Sequence, residues 1–320
     1  MKRTYWRWVA VTAIAPIAWG STYYVTNAAL PDEAPWWGAA LRAFPAGIIL
    51  MLVARKLPRG VWWWRSTVLG ILNVAAFFFL IYLSAQLLPS SIASSVMALS
   101  PVVMAGFAWM LVGERPTARF GFGALLGIVG VVLLVGLALD RLDGLGLAAA
   151  AAAMLMSSLS FILAKRWGKD GTTPLALTAW QLMLGGIVLV VGALVFEGPP
   201  PAVDGIGIAA YVYAAVIATA IANWAWFVGI AHLPAATVGI IGLLNPVTGV
   251  LLGTIAAHEQ LDVVQWVGIA LVLVGIVLGQ GSGSGARVRV ARGRAGRAVR
   301  EAEARSGDEP TGEIPQPQQP

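Results

Sequence analysis

Long apolar runs separated by short polar connections dominate the sequence. Each run is long enough to cross roughly 30 Å of hydrocarbon as an α-helix, and none alternates apolar and polar residues as membrane β-strands do. The pattern therefore predicts an all-α integral membrane protein with ten transmembrane helices. The predicted spans are residues 8–29, 35–54, 67–87, 91–112, 119–139, 144–164, 174–196, 206–230, 235–256 and 263–280.

Composition agrees with a lipid environment. Hydrophobic residues make up 58% of the chain and charged residues 11%, with a mean hydropathy of +0.79, whereas soluble domains carry about 25% charged residues. The chain has no cysteine, which excludes disulfides and thiolate ligands. It also has no GxxxxGK[ST] loop for ATP hydrolysis, and no cofactor is predicted.

The distribution of Lys and Arg predicts the orientation. If the N-terminus is cytoplasmic, every Lys and Arg except Arg42 and Arg141 falls in a segment that faces the cytoplasm. Arg42 lies within a predicted span, and Arg141 lies in an outer connection. This pattern predicts a multi-pass protein of the plasma membrane with both termini in the cytoplasm.

The last forty residues, 281–320, change in character: a Gly/Ser stretch leads into arginine-rich and then Pro/Gln-rich sequence. This composition predicts a disordered cytoplasmic tail. Its arginines either bind anionic lipid or serve only to fix the orientation. Because the tail has neither a folded basic face nor interleaved aromatic residues, no nucleic-acid binding is predicted.

The second half of the sequence repeats the first. Shifting residues 88–134 by 145 positions gives ten identities in 47, including Pro101/Pro246 and Glu114/Glu259. Earlier positions match more weakly: Arg42 corresponds to Gln181 at a shift of 139. We divide the chain into repeats at 8–139 and 144–280. Because each repeat holds five spans, the second must enter the membrane from the opposite side, and such inverted repeats suit alternating-access transport.

The same landmarks resemble those of a known family. They are Trp19-Gly20-Ser21, Arg42, Pro101, Gly113-Glu114-Arg115, Gly123, Gly127 and Gly130, with a second copy at Asn245-Pro246, His258-Glu259, Gly268 and Gly275. Over about residues 8–280 the chain is similar to EamA-type transporters of the drug/metabolite transporter superfamily. The resemblance implies a central cavity between two inverted EamA-like repeats, and export of amino acids, other metabolites or toxic compounds. The two copies differ at one of these positions, because Gln181 in the second repeat corresponds to Arg42 in the first.

The two matching prolines are candidates for the transport path. Pro101 and Pro246 each fall about eleven residues into a predicted span, preceded by Ser100 and Asn245. Each removes a backbone hydrogen bond within its helix. Symmetry-related, proline-interrupted helices either line a transport site or form packing kinks that neighbouring helices satisfy.

Arg42 is a second candidate, since an ionisable residue inside a span is often functional. It either anchors the helix structurally or contacts a substrate carboxylate. Further polar or aromatic candidates for the substrate path are Trp19, Tyr23, Asn73, Ser157, Gln181 and Asn223. Together they suit a neutral, zwitterionic or amphiphilic solute, although each alone is explained equally by helix packing.

Glu114 and Glu259 precede the fifth and tenth spans by a few residues, where the helix dipole favours a carboxylate. We therefore expect structural caps or pairing with a loop, and proton transfer is the alternative. His258-Glu259 begins like a zinc-protease motif, but Asp262 stands where the second histidine is required, and no metal site is predicted.

The sequence thus predicts a secondary transporter that exports small metabolites such as amino acids, with the solute and the lipid bilayer as its partners. The alternative is efflux of lipophilic drugs or toxic compounds. An intramembrane enzyme is disfavoured because the sequence shows no catalytic constellation.

Overall fold

The computed structural model describes residues 2–29, 34–88, 96–135, 143–257 and 261–279. These residues form helices and connections without a β-strand. The α-helices are α1 (Lys2–Ala29), α2 (Pro35–Ala54), α3 (Trp62–Gly70), α4 (Ala76–Leu87), α5 (Ser100–Val112), α6 (Ala118–Val135), α7 (Gly144–Trp167), α8 (Pro174–Phe196), α9 (Gly205–Ala215), α10 (Ala222–His232), α11 (Ala235–Gly242), α12 (Leu244–Ala257) and α13 (Val263–Gly279).

The all-helical architecture predicted from the sequence is confirmed. Within the described residues, five helical segments are long and apolar enough to cross a membrane: Pro35–Ala54, Trp62–Ile81, Gly144–Trp167, Pro174–Phe196 and Gly205–His232. Four more apolar helices are shorter: Ser100–Val112, Ala118–Leu134, Ala235–Gly249 and Val263–Gly279. Large apolar side chains such as Leu52, Met110 and Phe196 are mostly exposed on the bundle, as expected of a surface that faces lipid. The predicted tail, 281–320, lies outside the described residues.

Local sequence explains where several helices begin. Proline occupies the first position of α2 and α8, where its missing N–H needs no partner and its fixed φ suits a helix. The carboxylates of Asp143 and Asp204 cap α7 and α9 by accepting from the N–H groups of Gly146 at 2.7 Å and Gly207 at 2.8 Å. Such caps satisfy backbone donors that the helix itself leaves unpaired.

The prolines follow short turns at which the helical path bends: Leu99 and Leu243 keep right-handed helical backbone angles, and Ala235–Gly249 continues through Leu243. The chain turns at Leu99 before α5 and at Leu243 between α11 and α12. Leu99 N donates to Val96 O and Leu243 N donates to Ile240 O, both at 3.1 Å. Pro101 and Pro246 then lie in the first turn of the following helix. A proline is tolerated there because first-turn N–H groups have no partner within the helix.

Two long helical segments, one in each half of the sequence, are each interrupted by a short π-helical segment. The first π segment, Ile71–Ala75, joins α3 to α4, and the second, Val216–Ile221, joins α9 to α10. Their first residues are 145 positions apart, the same offset that relates Pro101 to Pro246. π-Bulges often occur at functional sites. The sequence alone gave no sign of these two.

The helices pack in a regular scheme. α2 lies along α8, and α6 lies along α13; α1 packs on α10 and α12, whereas α7 packs on α4 and α5. The crossing of α6 and α13 depends on glycine, because a Cβ atom placed on Gly130 would lie 2.7 Å from the backbone oxygen of Gly268, and the reverse substitution gives the same distance. Small residues at such crossings let helix backbones approach closely.

One end of the bundle, which we call the basic end, holds the N-terminus of α1 and the connections 55–61, 113–117, 168–173 and 233–234. An ion pair between Arg65 and Asp170, at 2.8 Å, and a bond from Trp180 Nε1 to Lys56 O, at 2.6 Å, join these segments. The largest buried apolar cluster fills the bundle toward this end; it includes Ala15, Trp62, Met104, Ala108, Ile162, Trp180, Trp226, Phe227, Leu233 and Val238. We call it the apolar plug.

Candidate functional site

Arg42 reaches from α2 to the second π segment. Its Nε donates a hydrogen bond to Thr219 Oγ1 at 3.2 Å, and its guanidinium carbon lies 4.8 Å from the centre of the Phe78 ring. Thr219 is fully buried. A hydroxyl and an aromatic face both stabilise a cation, so the arginine charge is held between the two halves of the sequence.

A second polar contact joins the first π segment to α8. Asn73 Nδ2 donates to Gln181 Oε1 at 3.1 Å. Gln181 is 0% exposed and Asn73 is 6% exposed. No described residue accepts a hydrogen bond from the buried Nε2 of Gln181. Because an unpaired buried donor costs free energy, this nitrogen is a natural site for a ligand acceptor.

The two contacts occupy similar places, although Asn73 corresponds to Ala218 rather than to Thr219 at the offset of 145. Arg42 and Gln181 correspond at the offset of 139, and each bonds to a residue of the π segment from the other half. The sequence named Arg42, Asn73 and Gln181 as separate candidates. Thr219 is also a polar residue within a predicted span, but the sequence does not place it among the path candidates, because a lone threonine in an apolar helix is usually a packing residue.

Asn223 supports the second π segment. Its Nδ2 donates to the backbone oxygen of Thr219 at 2.8 Å, and the side chain is 9% exposed. The i, i+4 bonding of an α-helix is disrupted in a π segment, so a side-chain donor at this place satisfies a backbone carbonyl. Asn223 therefore acts on the local backbone, next to the hydroxyl that holds Arg42.

An aromatic group adjoins this polar layer one turn along α10. Trp226 packs against Trp19 of α1 and Phe161 of α7, with ring centres 5.2 and 5.4 Å apart. Trp226 is 3% exposed, and its Nε1 has no hydrogen-bond partner among the described residues. The predicted candidate Trp19 is therefore part of an aromatic wall, together with Trp226, which the sequence also places among the aromatic residues within the spans.

The Trp19-Gly20-Ser21 segment contacts the first turn of α12, which contains Asn245 and Pro246. A Cβ atom placed on Gly20 would lie 2.5 Å from the backbone oxygen of Asn245, so only glycine allows α1 to approach this closely. The side-chain Oδ1 of Asn245 is buried without a partner among the described residues. The neighbouring Ser21 hydroxyl bonds to the Tyr213 hydroxyl at 2.5 Å. Two landmarks that the sequence treats separately are thus in contact.

The remaining path candidates differ in their surroundings. Ser157 is buried and donates to Met154 O of its own helix at 3.1 Å. Pro101 is buried against α11, because a Cβ on Gly239 would lie 2.8 Å from its Cα; this contact favours the packing role. Ser100 begins α5 and is partly buried. Position 23, the tyrosine candidate, lies in α1, but its side chain is outside the described residues.

Glu114 bonds to a different helix from the one expected. Its Oε2 accepts from the N–H of Ala235, at the start of α11, at 2.8 Å, and its Oε1 lies 2.8 Å from Lys165 Nζ. α6, which follows Glu114 in sequence, is instead capped by Thr117, whose Oγ1 accepts from Phe120 N at 3.2 Å. The Glu114 carboxylate therefore bonds to the helix start that is nearest in space and not to the helix that follows it in the sequence. Glu259 lies outside the described residues.

Similarity to known proteins agrees with this architecture. The model of the EamA-like transporter family matches residues 6–136 and again residues 144–279. The chain belongs to this family. It is 33% identical over 267 residues to protein PecM of Dickeya dadantii (strain 3937), covering 83% of this chain and 90% of that protein. It is 27% identical over 273 residues to the inner membrane transporter YedA of Escherichia coli (strain K12), covering 82% and 87%.

A solved crystal structure shares the fold, with a TM-score of 0.74 at 22% identity over 85% of this chain and 97% of that one. The resemblance to the drug/metabolite transporter superfamily is confirmed, and the protein is a multi-pass membrane transporter rather than an enzyme. Its partners are accordingly a small-molecule substrate and the lipid bilayer. Among the described residues, no group of three or more His, Asp or Glu is placed to hold a metal ion.

Proposed function

We propose that this protein is a secondary transporter that exports small carboxylate-bearing metabolites, such as amino acids, by alternating access between two inverted five-helix repeats. The observation that carries the proposal is the pair of matching polar contacts, Arg42 with Thr219 and Asn73 with Gln181. They join opposite halves at equivalent places, where an alternating-access transporter binds its solute.

The helix packing supports two related halves of ten spans in total. The counterparts in the two repeats are α1 and α7, α2 and α8, α4 and α10, α5 and α12, and α6 and α13. When each helix is replaced by its counterpart, the contact of α1 with α10 becomes the contact of α7 with α4. The same exchange turns α1 with α12 into α7 with α5, and it leaves α2 with α8 and α6 with α13 unchanged. Such a scheme is expected of repeats related by a two-fold axis in the membrane plane.

The positive-inside rule supports a cytoplasmic basic end. The connections that meet there contain Lys56, Arg59 and Arg115, and the helix ends beside them carry Lys165 of α7 and Arg3 and Arg7 of α1. Both termini would then face the cytoplasm of a plasma-membrane protein. Export corresponds to movement from this end to the opposite one.

The chemistry of the polar layer supports a substrate with a carboxylate and a second polar group. A guanidinium binds a carboxylate in a two-point contact, and Arg42 supplies one. Gln181 Nε2 and Trp226 Nε1 are buried donors, and Asn245 Oδ1 is a buried acceptor, with no partner among the described residues. A zwitterionic solute would engage the charge and satisfy several of these atoms together.

Efflux of lipophilic compounds is the second candidate, favoured by the aromatic wall of Trp19, Phe161 and Trp226. The fixed cation at Arg42 would repel cationic drugs, so neutral or anionic compounds fit this alternative better.

Purified protein in liposomes tests the proposal. A panel of labelled amino acids, organic anions and a lipophilic dye is loaded, and release is followed against protein-free vesicles and an Arg42→Gln variant. We expect protein-dependent flux of at least one carboxylate solute, reduced roughly tenfold by Arg42→Gln through the loss of a charge-assisted contact. Flux confined to the dye, and insensitive to Arg42→Gln, would support the drug-efflux alternative instead.

A further inference from the structure

A cluster of charged and backbone groups joins three segments at the basic end. Lys165, near the end of α7, places its Nζ 2.8 Å from Glu114 Oε1 and 2.5 Å from the backbone oxygen of Leu233. The other oxygen of Glu114 accepts from the N–H of Ala235 at 2.8 Å. The ammonium and the carboxylate thus bond to each other, and each also bonds to one backbone group of the segment that contains Leu233 and Ala235.

The lysine of the cluster is shielded from water, and the glutamate is partly shielded. The Lys165 side chain is 8% exposed and that of Glu114 is 30% exposed, compared with 23% and 58% for the Arg65–Asp170 pair at the same end. A shielded, hydrogen-bonded ion pair is strongly affected by removal of one partner, because the remaining charge stays buried without compensation. Exposed pairs contribute little.

The cluster also joins the two halves of the sequence. Glu114 follows α5 in the first half, whereas Lys165, Leu233 and Ala235 belong to the second. Leu233 and Ala235 are at the same time members of the apolar plug, with Ala108 of α5 and Ile162 of α7. Separation of the halves at this end requires the ion pair to break as the plug opens.

The sequence does not repeat this arrangement at the opposite end. Glu114 corresponds to Glu259 at the offset of 145, but Lys165 corresponds to Ala28 at the offset of 137. The acid is kept in both halves and the cation in one. The charge pairing therefore favours closure of the basic end alone.

We propose that Glu114 and Lys165 form a latch that holds the basic end closed and favours the state closed at that end when no solute is bound. The latch rests on the alternating-access function proposed above. It assigns a gating role to two residues that lie away from the polar layer at Arg42 and Gln181.

The absence of native cysteine permits a direct test in lipid nanodiscs, in which both faces are accessible. An Ala108→Cys reporter is placed in the apolar plug, where Ala108 is 1% exposed, and its labelling by a water-soluble maleimide is timed. Lys165→Met removes the cation but keeps the apolar stem. Glu114→Gln removes the charge but keeps an oxygen to accept from Ala235. Each variant should speed labelling three- to tenfold, on the order expected from loss of a charge-assisted hydrogen bond.

Two controls accompany the reporter. Asp170→Asn breaks the exposed ion pair of the same end and should change the labelling rate by less than about twofold. An Arg59→Cys reporter in the exposed connection 55–61 should label at the same rate in every background, which shows that the reagent is equally active, and a cooperative thermal unfolding transition of each variant shows that it is folded.

Unchanged labelling of the Ala108→Cys reporter in either latch variant, with the Arg59→Cys rate intact, overturns the latch. Because no solute is added, the result does not depend on the flux assay. If labelling is faster in both variants but no solute is transported, the result supports the latch and contradicts the proposed transport function. If solute is transported but labelling is unchanged, the result contradicts the latch and leaves the proposed transport function standing.

Discussion

Asn73 and Gln181 form the uncharged counterpart of the contact between Arg42 and Thr219. In each pair, a residue of a π segment bonds to the central part of a helix from the other half. One pair carries a full charge and the other carries only amides. The polar layer is therefore similar in arrangement on the two sides and asymmetric in charge, which suits the carboxylate-bearing solute proposed above.

The amide pair should contribute a measurable coupling free energy. Asn73→Val and Gln181→Leu are each expected to destabilise the protein, because each leaves a buried partner unsatisfied. In a double-mutant cycle measured by unfolding in detergent, we expect a coupling of about 0.6 kcal/mol, the average for hydrogen bonds between membrane helices. Strict additivity of the two single effects would show that the bond is absent.

Much of this architecture could be predicted from sequence because lipid imposes a simple rule. A chain in hydrocarbon must satisfy its backbone internally, so apolar runs become helices, and α2 and α8 have the bounds predicted for the second and seventh spans. The repeat was detectable because Pro101/Pro246 and Glu114/Glu259 fall on one diagonal.

The site was predictable only in part, since its contacts depend on helix register and backbone detail. The π segments have no compositional signal, so Thr219 is recognisable from the sequence as a polar residue within a span but not as the partner of Arg42. Glu114 was assigned to the helix that follows it, because the sequence does not show that the start of α11 lies nearer. Pairings between distant segments need the three-dimensional packing.

The glycine crossing between α6 and α13 yields a prediction with a matched control. At Gly130 a Cβ would lie 2.7 Å from the backbone oxygen of Gly268, whereas a Cβ on Gly121 of the same helix meets nothing within 4 Å. We expect Gly130→Ala to lower the free energy of unfolding by about 1–3 kcal/mol through overpacking. Gly121→Ala should be neutral or raise it by up to about 1 kcal/mol. Chemical denaturation in detergent measures both, and equal effects would contradict the close crossing.

Tyr5, which precedes the first predicted span at the basic end, should make stability depend on alkaline pH. Burial raises the pKa of Tyr5 above the ordinary 10.0, while its hydrogen bond with Thr237 acts in the opposite direction. Because the folded pKa exceeds the unfolded one, this stabilising contribution is complete below pH 10.0 and is lost as the pH rises through the folded value. Thermal unfolding from pH 9 to 12 should show a smaller loss of stability for Tyr5→Phe than for the unmodified protein. Parallel pH profiles would exclude this role of Tyr5.

Thr219 should position Arg42 for the solute. Thr219→Val removes the hydroxyl that accepts from Arg42 Nε but keeps a similar shape, and Thr219→Ser restores the hydroxyl. With the carboxylate solute identified by flux, we expect Thr219→Val to raise the apparent KM about three- to tenfold, as loss of one charge-assisted hydrogen bond implies. Thr219→Ser should stay near the unmodified value. A purely packing role predicts the opposite ranking, because serine lacks the methyl group that valine keeps and would be the more damaging substitution. Flux at several solute concentrations, which separates KM from the maximal rate, distinguishes the two roles.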